Sequence, residues 1–300
     1  MDPYQHDDLE AAIKAYLKHY DPEESFDKPA VTVIGMGGLV ENNQMKRGCN
    51  VRHWPKKMSG DEIAQSLGFT KVILVNDLVA AGSGCANLSR DQVEVLYEPE
   101  KKDDLDFESG NKICISAGSY LGESFMIKSK FSPQFYDVYS SEGGASTFPI
   151  RTDFDHELIG AYNMIEKRHR AVGLFCGGIC MPELYTRIEY LKSDLKSSLT
   201  EDERGDGGRI LQRGVEGKDE IAVLTLNQLI RSLGLESANM ARLMRPTGGI
   251  FLLGGVINGI RSHLKNNIGT FVANFSEDAH YPIYVVEEKI QKEIGLLGAQ

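Results

Sequence analysis

Apolar positions along the chain fall into short runs and helical stripes rather than one long stretch. Leu9, Ala12, Ile13, Tyr16, Leu17 and Tyr20 recur at intervals of three and four, which puts them on one face of an opening helix. Residues 30–38, AVTVIGMGG, are a β-branched run ending in glycines, the pattern of a buried strand with a turn. A second helix is expected from about Asp61 to Leu67, and Gly68 leads from it into TKVILVND, a strand with Asn76 and Asp77 at its end. KICISAG (112–118) is another strand running into a glycine loop, with SFMIKSKF (124–131) as its antiparallel return. Helices are expected over about 155–169, 183–198 and 219–244, and the polar stretch TEDERGDGGR (200–209) reads as a mobile loop. GGIFLLGGVING (248–259) is a hydrophobic strand entering paired glycines; a helix, the strand PIYVVE and a last helix at GLLGAQ complete the chain.

Strands that end in glycine and lead into helices are the usual setting of a phosphate cleft in an open α/β sheet. The acidic segment YEPEKKDDLDFES (97–109) has no apolar period and reads as a solvated loop at a domain boundary. This gives a small α/β domain over 1–108, with 287–300 returning to it, and a large α/β domain over 109–286. A length of 300 residues suffices for a core in each. With 25% charged and 41% hydrophobic residues the composition is that of a soluble globular protein, and a net charge of −10 argues against nucleic acid or an anionic membrane as partner. No apolar run approaches the roughly 20 residues that span a bilayer, and Met1-Asp2-Pro3-Tyr4 lacks the layout of a secretory signal, so the expected compartment is cytoplasmic. Of the five cysteines only Cys176 and Cys180 lie close together, with His169 the one nearby third ligand. Reduced, buried thiols are the simpler reading, and no metal centre is expected there.

Five segments carry the candidate chemistry: LVNDLVAAG (74–82), CISAGSYLGESF (114–125), SSEGGASTF (140–148), GGIFLLGGVI (248–257) and PIYVVEEKIQKEIGLLGA (282–299). In this order and spacing the chain, from about Asp7 to its end, resembles the bacterial-type glucokinases of the actin-like ATPase superfamily. The resemblance implies a two-domain actin-like ATPase (ribonuclease H-like) fold, with mixed sheets flanked by helices. It also implies ATP-dependent phosphorylation of glucose or a related hexose at the 6-hydroxyl, with ATP and Mg2+ as the cofactors of an active enzyme. By that resemblance Asp77 is the base that takes the hydroxyl proton, a task suited to a carboxylate at a strand's C-terminal end. Asn76, Glu142 and Asn50 become sugar ligands. Gly118, Ser119 and Gly122 form the phosphate loop, and Gly254 and Gly255 the adenosine side. Two plainer readings stand beside these: Asn76-Asp77 as a capping pair for the next helix, and 116–122 as a hairpin turn.

The chain departs from the family's pattern at several of these places. Ala145 stands where the family has a histidine, and AVGLFCGGIC (171–180) lacks the family's second glutamate. Tyr120 and Glu123 bring bulk and negative charge to the phosphate loop, and both disfavour ATP. The family opens with a hairpin bearing Asp-Gly-Gly-Thr, whereas the nearest Gly-Gly here is Gly37-Gly38. Taken as a complete small domain, its sheet would expose an edge, which favours a homo-oligomer or a place in a larger assembly. Two functions follow: a hexose kinase using the residues above, or a pseudoenzyme kept as a structural or regulatory subunit.

Overall fold

The computed structural model describes residues 5–21, 23, 30–47, 51, 54–55, 57–101, 103–163, 171–275 and 280–299. Cys49, Asn50 and His169, with the end of the helix expected over 155–169, lie outside them. Two compact units emerge: residues 1–84 with 294–300, and residues 85–293.

In the first unit, α1 (Leu9–Tyr20) starts where the Asp8 carboxylate accepts the N–H of Ala11 at 2.7 Å, a side-chain N-cap. β1 (Val31–Met36) leads through β2 (Leu39–Glu41), β3 (Gln44–Arg47) and β4 (Met58–Ser59), a small antiparallel sheet whose tight turn puts Asn42 and Asn43 at φ 50° and 58°. α2 (Gly60–Leu67) follows, capped by Ser59 and stopped by Gly68 at φ 66°. β5 (Lys71–Asn76) pairs parallel with β1, and α3 (Asp77–Ala86) leaves its end. The Asn43 amide donates to the carbonyl of Val72 and accepts the N–H of Leu74, so two backbone groups of β5 are satisfied within the unit. Leu9, Met45, Trp54, Ile63, Val72 and Leu74 are buried in its core. The chain's last helix joins this unit at Ile294, where a Cβ on Gly84 would stand 2.2 Å from the Ile294 carbonyl.

The second unit contains β6 (Val93–Tyr97), β7 (Lys112–Ala117), β8 (Leu121–Lys128) and β9 (Tyr136–Ser141). Then come α4 (Asp153–Asn163), α5 (Met181–Leu191), α6 (Glu201–Arg204), α7 (Gly207–Val215), α8 (Glu220–Met244), β10 (Gly249–Leu253), α9 (Gly255–Asn266), α10 (Ile268–Val272), β11 (Ile283–Val286) and α11 (Glu288–Gln291), and the last helix, Ile294–Ala299, is α12. The mixed sheet has the order β6-β11-β10-β7-β8-β9, with β10 parallel to β7 and β11. Ile113, Ile115, Leu226, Leu229, Ile250 and Leu252 are fully buried between this sheet and its helices. Among the described residues no helix is long and apolar enough to cross a membrane.

The unit division differs from the one drawn at 108/109 and 287. β6 pairs antiparallel with β11, which carries residues 85–108 into the second unit and leaves the acidic loop inside it. α11 stays there too, because the Gln291 amide donates to the Val286 carbonyl and accepts from the Gly254 N–H. The loop expected over 200–209 is instead helical. Thr200 and Glu203 form a capping box for α6, and Asp206 caps α7, so its polar residues are helix starts. α5 stops at Leu191, short of the expected 198, where Ser198 turns to donate its N–H to the Asp219 carboxylate at 2.6 Å.

Candidate functional site

At the end of β7 the chain turns through Gly118 and Ser119 into β8. The N–H groups of Gly178 and Ile179 donate to the carbonyls of Gly118 (2.9 Å) and Ser119 (3.1 Å), which ties this loop to the 177–180 segment. From the other side Gly254, at φ +106°, lies on the loop so closely that a Cβ there would stand 2.4 Å from the Ala117 carbonyl oxygen. Only glycine meets both demands. At Gly118 and Gly255, by contrast, a Cβ would have nothing within 4 Å, so both face open space. α9 begins at Gly255 with no side-chain cap, so its first-turn N–H groups have no acceptor within the helix, while the Gly254 N–H donates to Gln291 Oε1. Gly118, Ser119, Gly254 and Gly255 are thus brought together. Gly122 lies apart from the turn, within β8 and opposite Ser116.

Gly254→Ala adds strain at positive φ and a backbone clash, and is expected to lower stability by about 1–3 kcal/mol. Gly118→Ala, in open space, is expected to leave stability unchanged. Thermal denaturation of the two variants checks the pair.

Tyr120 does not extend over Gly118. Its ring rests on Gly173, where a Cβ would stand 2.4 Å from the ring, and its hydroxyl donates to the Gly144 carbonyl at 3.3 Å. Glu123 does not add a surface charge. It is 1% exposed in β8, and burial, with the Glu236 carboxyl next, pushes its acid from the ordinary 4.5 to about 8, so it is neutral at pH 7. The charge expected beside residues 116–122 is therefore a buried carboxyl held mainly in its neutral form at pH 7.

Glu142 begins a short 3-10 turn over Gly143–Ala145 that leads out of β9. The Ser141 hydroxyl accepts the Gly143 N–H at 2.8 Å, and the Val172 N–H closes onto the Ser146 carbonyl at 2.8 Å. Gly144 is pressed on β8, with its missing Cβ 2.4 Å from the Leu121 carbonyl. The Glu142 and Ala145 side chains both face solvent. Cys176 is buried and Cys180 half-buried, and burial raises both thiols. Among the described residues no three His, Cys, Asp or Glu side chains converge as a metal site.

Asn76 and Asp77 belong to the first unit, Glu142 and the glycines to the second. Asn76 closes β5, donating from Nδ2 to the Gly38 carbonyl at 2.8 Å and accepting the Leu78 N–H at 2.8 Å. Asp77, partly exposed, opens α3 and accepts the same N–H at 3.0 Å. The capping geometry is therefore real, and it also holds the Asp77 carboxylate at a strand's C-terminal end. Asn50 lies outside the described residues. The Glu123–Ser141 pair and the Tyr120 strap were not anticipated. Leu121 and Phe125, two positions either side of Glu123, carry the alternation that marks its face of β8 as inward.

A family model described as Glucokinase matches residues 1–300. A glucokinase of Trichormus variabilis is 24% identical over 295 residues, covering 90% of this chain and 81% of its own. The crystal structure of a glucokinase from an Antarctic psychrotroph superposes with a TM-score of 0.76 at 22% identity, over 100% of this chain and 86% of that one. A ROK family glucokinase from Streptomyces griseus, in complex with glucose and AMPPNP, gives a TM-score of 0.60 at 16% identity, over 97% and 86%. The fold is that of these sugar kinases, the actin-like ATPase fold.

Proposed function

The chain belongs to the glucokinase family, and from that membership we propose that it is an ATP-dependent kinase of glucose or a closely related hexose, acting on the 6-hydroxyl. The observation that carries this is the glycine cradle, in which Gly254 lies on Ala117 while Gly118 and Gly255 border open space. A nucleotide fits there because backbone N–H groups reach its phosphates without side chains in the way. Magnesium-bound ATP would supply the phosphoryl group. The loop at Gly118 and Ser119 and the start of α9 would hold its phosphates and nucleoside. Magnesium at such sites takes few protein ligands beside phosphate oxygens.

Asp77 would accept the proton of the 6-hydroxyl as that oxygen becomes the nucleophile, and Asn76 would orient the ring. Glu142 would accept hydrogen bonds from sugar hydroxyls, and its exposed carboxylate is free to turn to them. Ala145 offers no donor, so one hydroxyl is left to water, at a cost of about 1–3 kcal/mol in hexose affinity. Cys85, Cys114 and Cys176 are buried free thiols, in keeping with a cytoplasmic protein, and self-association is part of the same proposal.

A second reading, a pseudoenzyme retained as a structural or regulatory subunit, is favoured by Ala145. A coupled assay of ADP release separates the two. Glucose- or hexose-dependent turnover by the 300-residue chain is expected. No turnover with any hexose, together with no heat of ATP binding, overturns the kinase reading in favour of the second.

A further inference from the structure

Glu123 is a buried carboxyl beside the Glu142 turn. It sits in β8 with Ile115 of β7 on one side and Ser141 of β9 on the other. Its Oε2 accepts the Ser141 hydroxyl at 3.2 Å, and that hydroxyl in turn accepts the Gly143 N–H at 2.8 Å. The carboxyl also lies flat on Gly143, where a Cβ would stand 1.8 Å from Oε2. Its other oxygen, Oε1, is buried without a hydrogen-bond partner. We propose that Glu123 is a positioning residue for the hexose subsite, fixing the Glu142–Gly143–Gly144 turn through Ser141 and by direct packing on Gly143. The inference rests on the reading of Glu142 as a hexose ligand.

The surroundings give this hold a dependence on pH. Among the described residues Glu236 of α8, 5% exposed and itself raised by burial, is the carboxyl that acts on Glu123, and the buried Cys176 thiol feels both carboxyls. β7 contributes the apolar Ile115 and β9 the neutral Ser141. Burial and Glu236 raise the carboxyl to about 8, so the neutral acid packs on Gly143 at pH 7. Above that, an ionised carboxylate with one hydroxyl donor and an acidic neighbour is poorly held. It can draw in water only by leaving Gly143, and the turn follows.

The test uses the whole chain and its variants Glu123→Gln and Glu123→Leu, with glucose as the probe. Glucose affinity is read by calorimetry from pH 6.5 to 9.5, and the Gly143 and Gly144 amides by NMR after 15N-glycine labelling. In the parent protein the two amides are expected to titrate together near pH 8, and glucose affinity to fall about fivefold across the same range, the equivalent of one hydrogen bond. Glu123→Gln, neutral and of the same shape, is expected to keep the pH 7 affinity and lose both titrations. Glu123→Leu, which removes the acceptor, is expected to lose about tenfold at pH 7, with the other glycine signals unchanged. Titrations that persist in Glu123→Gln, or amides that do not titrate in the parent, overturn the positioning role. Amide titrations that vanish in Glu123→Gln support the hold on the turn, even if glucose fails to bind, a result that would overturn only the hexose reading.

Discussion

Asp77→Asn is expected to lower the hexose-dependent kcat by about 10²–10⁴-fold while leaving thermal stability nearly unchanged. The substitution separates the two tasks proposed for this side chain. As a cap, Asp77 accepts the Leu78 N–H at 3.0 Å, and an asparagine side-chain oxygen can do the same. As a base it must take a proton, which an amide cannot. Neighbouring Asn76 already accepts the same N–H and anchors Gly38, so the start of α3 stays held. Phosphoryl transfer depends on positioning and charge, with little else for the protein to supply, so the base should show mainly in kcat and little in the KM for glucose. Asp77→Ala, lacking the cap as well, is expected to lose the same rate and about 1 kcal/mol of stability besides. The coupled assay with thermal denaturation measures both. An unchanged kcat in Asp77→Asn removes Asp77 from the chemistry, and a loss of about 1 kcal/mol with the rate preserved in Asp77→Ala makes it a cap alone.

The elements legible from sequence are those whose residues share one environment. β7 and β10 are buried nearly throughout and read as largely apolar runs; β5 ends at Asn76, next to Asp77. β6 and β9 went unread because they are the sheet's edges. In β9 exposed and half-buried residues mix, so Tyr136–Ser141 looks like loop. The stretch 200–209 misled for a related reason, since Thr200, Glu203 and Asp206 are polar as helix caps rather than as solvated loop. The acidic run after β6 resembled a linker, although long-range pairing of β6 with β11 places it within one unit.

The candidate site residues divide along the same line. Glycines at strand ends, Asn76-Asp77 and Glu142 announce themselves by residue type, because backbone approach and proton transfer each need a particular side chain or none. Which way a charged residue faces depends on partners far along the chain. Glu123 counted as charge until Ser141, Gly143 and Glu236 closed over it, and Tyr120 counted as an obstruction until Gly173 received its ring.

Asp155→Ala is expected to destabilise the second unit by about 3–5 kcal/mol, the usual cost of removing one partner from a buried ion pair. The Asp155 side chain is fully buried at the first turn of α4, and its Oδ2 accepts the N–H groups of Arg151 and Thr152, each at 2.9 Å. Arg231 of α8 grips both oxygens, with Nη2 to Oδ2 at 2.7 Å, so one carboxylate joins two helices and caps one of them. Without it an arginine side chain only 19% exposed and two backbone donors lose their acceptor together. Burial alone would raise this acid, but the Arg231 guanidinium and the Arg151 N–H outweigh burial and hold it below its ordinary 3.8. The folded state therefore binds the proton more weakly than the unfolded chain. The contribution is complete above the ordinary carboxylate range and is lost as pH falls through the depressed value. Urea denaturation at pH 7 should give the full loss for Asp155→Ala. Asp155→Asn, which keeps an acceptor for the backbone but no charge, should lose less, and adding Arg231→Leu to Asp155→Ala should restore part of it, because no unpaired cation then remains. A loss below about 1 kcal/mol would make the pair no stronger than a surface ion pair and would contradict the burial that the argument rests on.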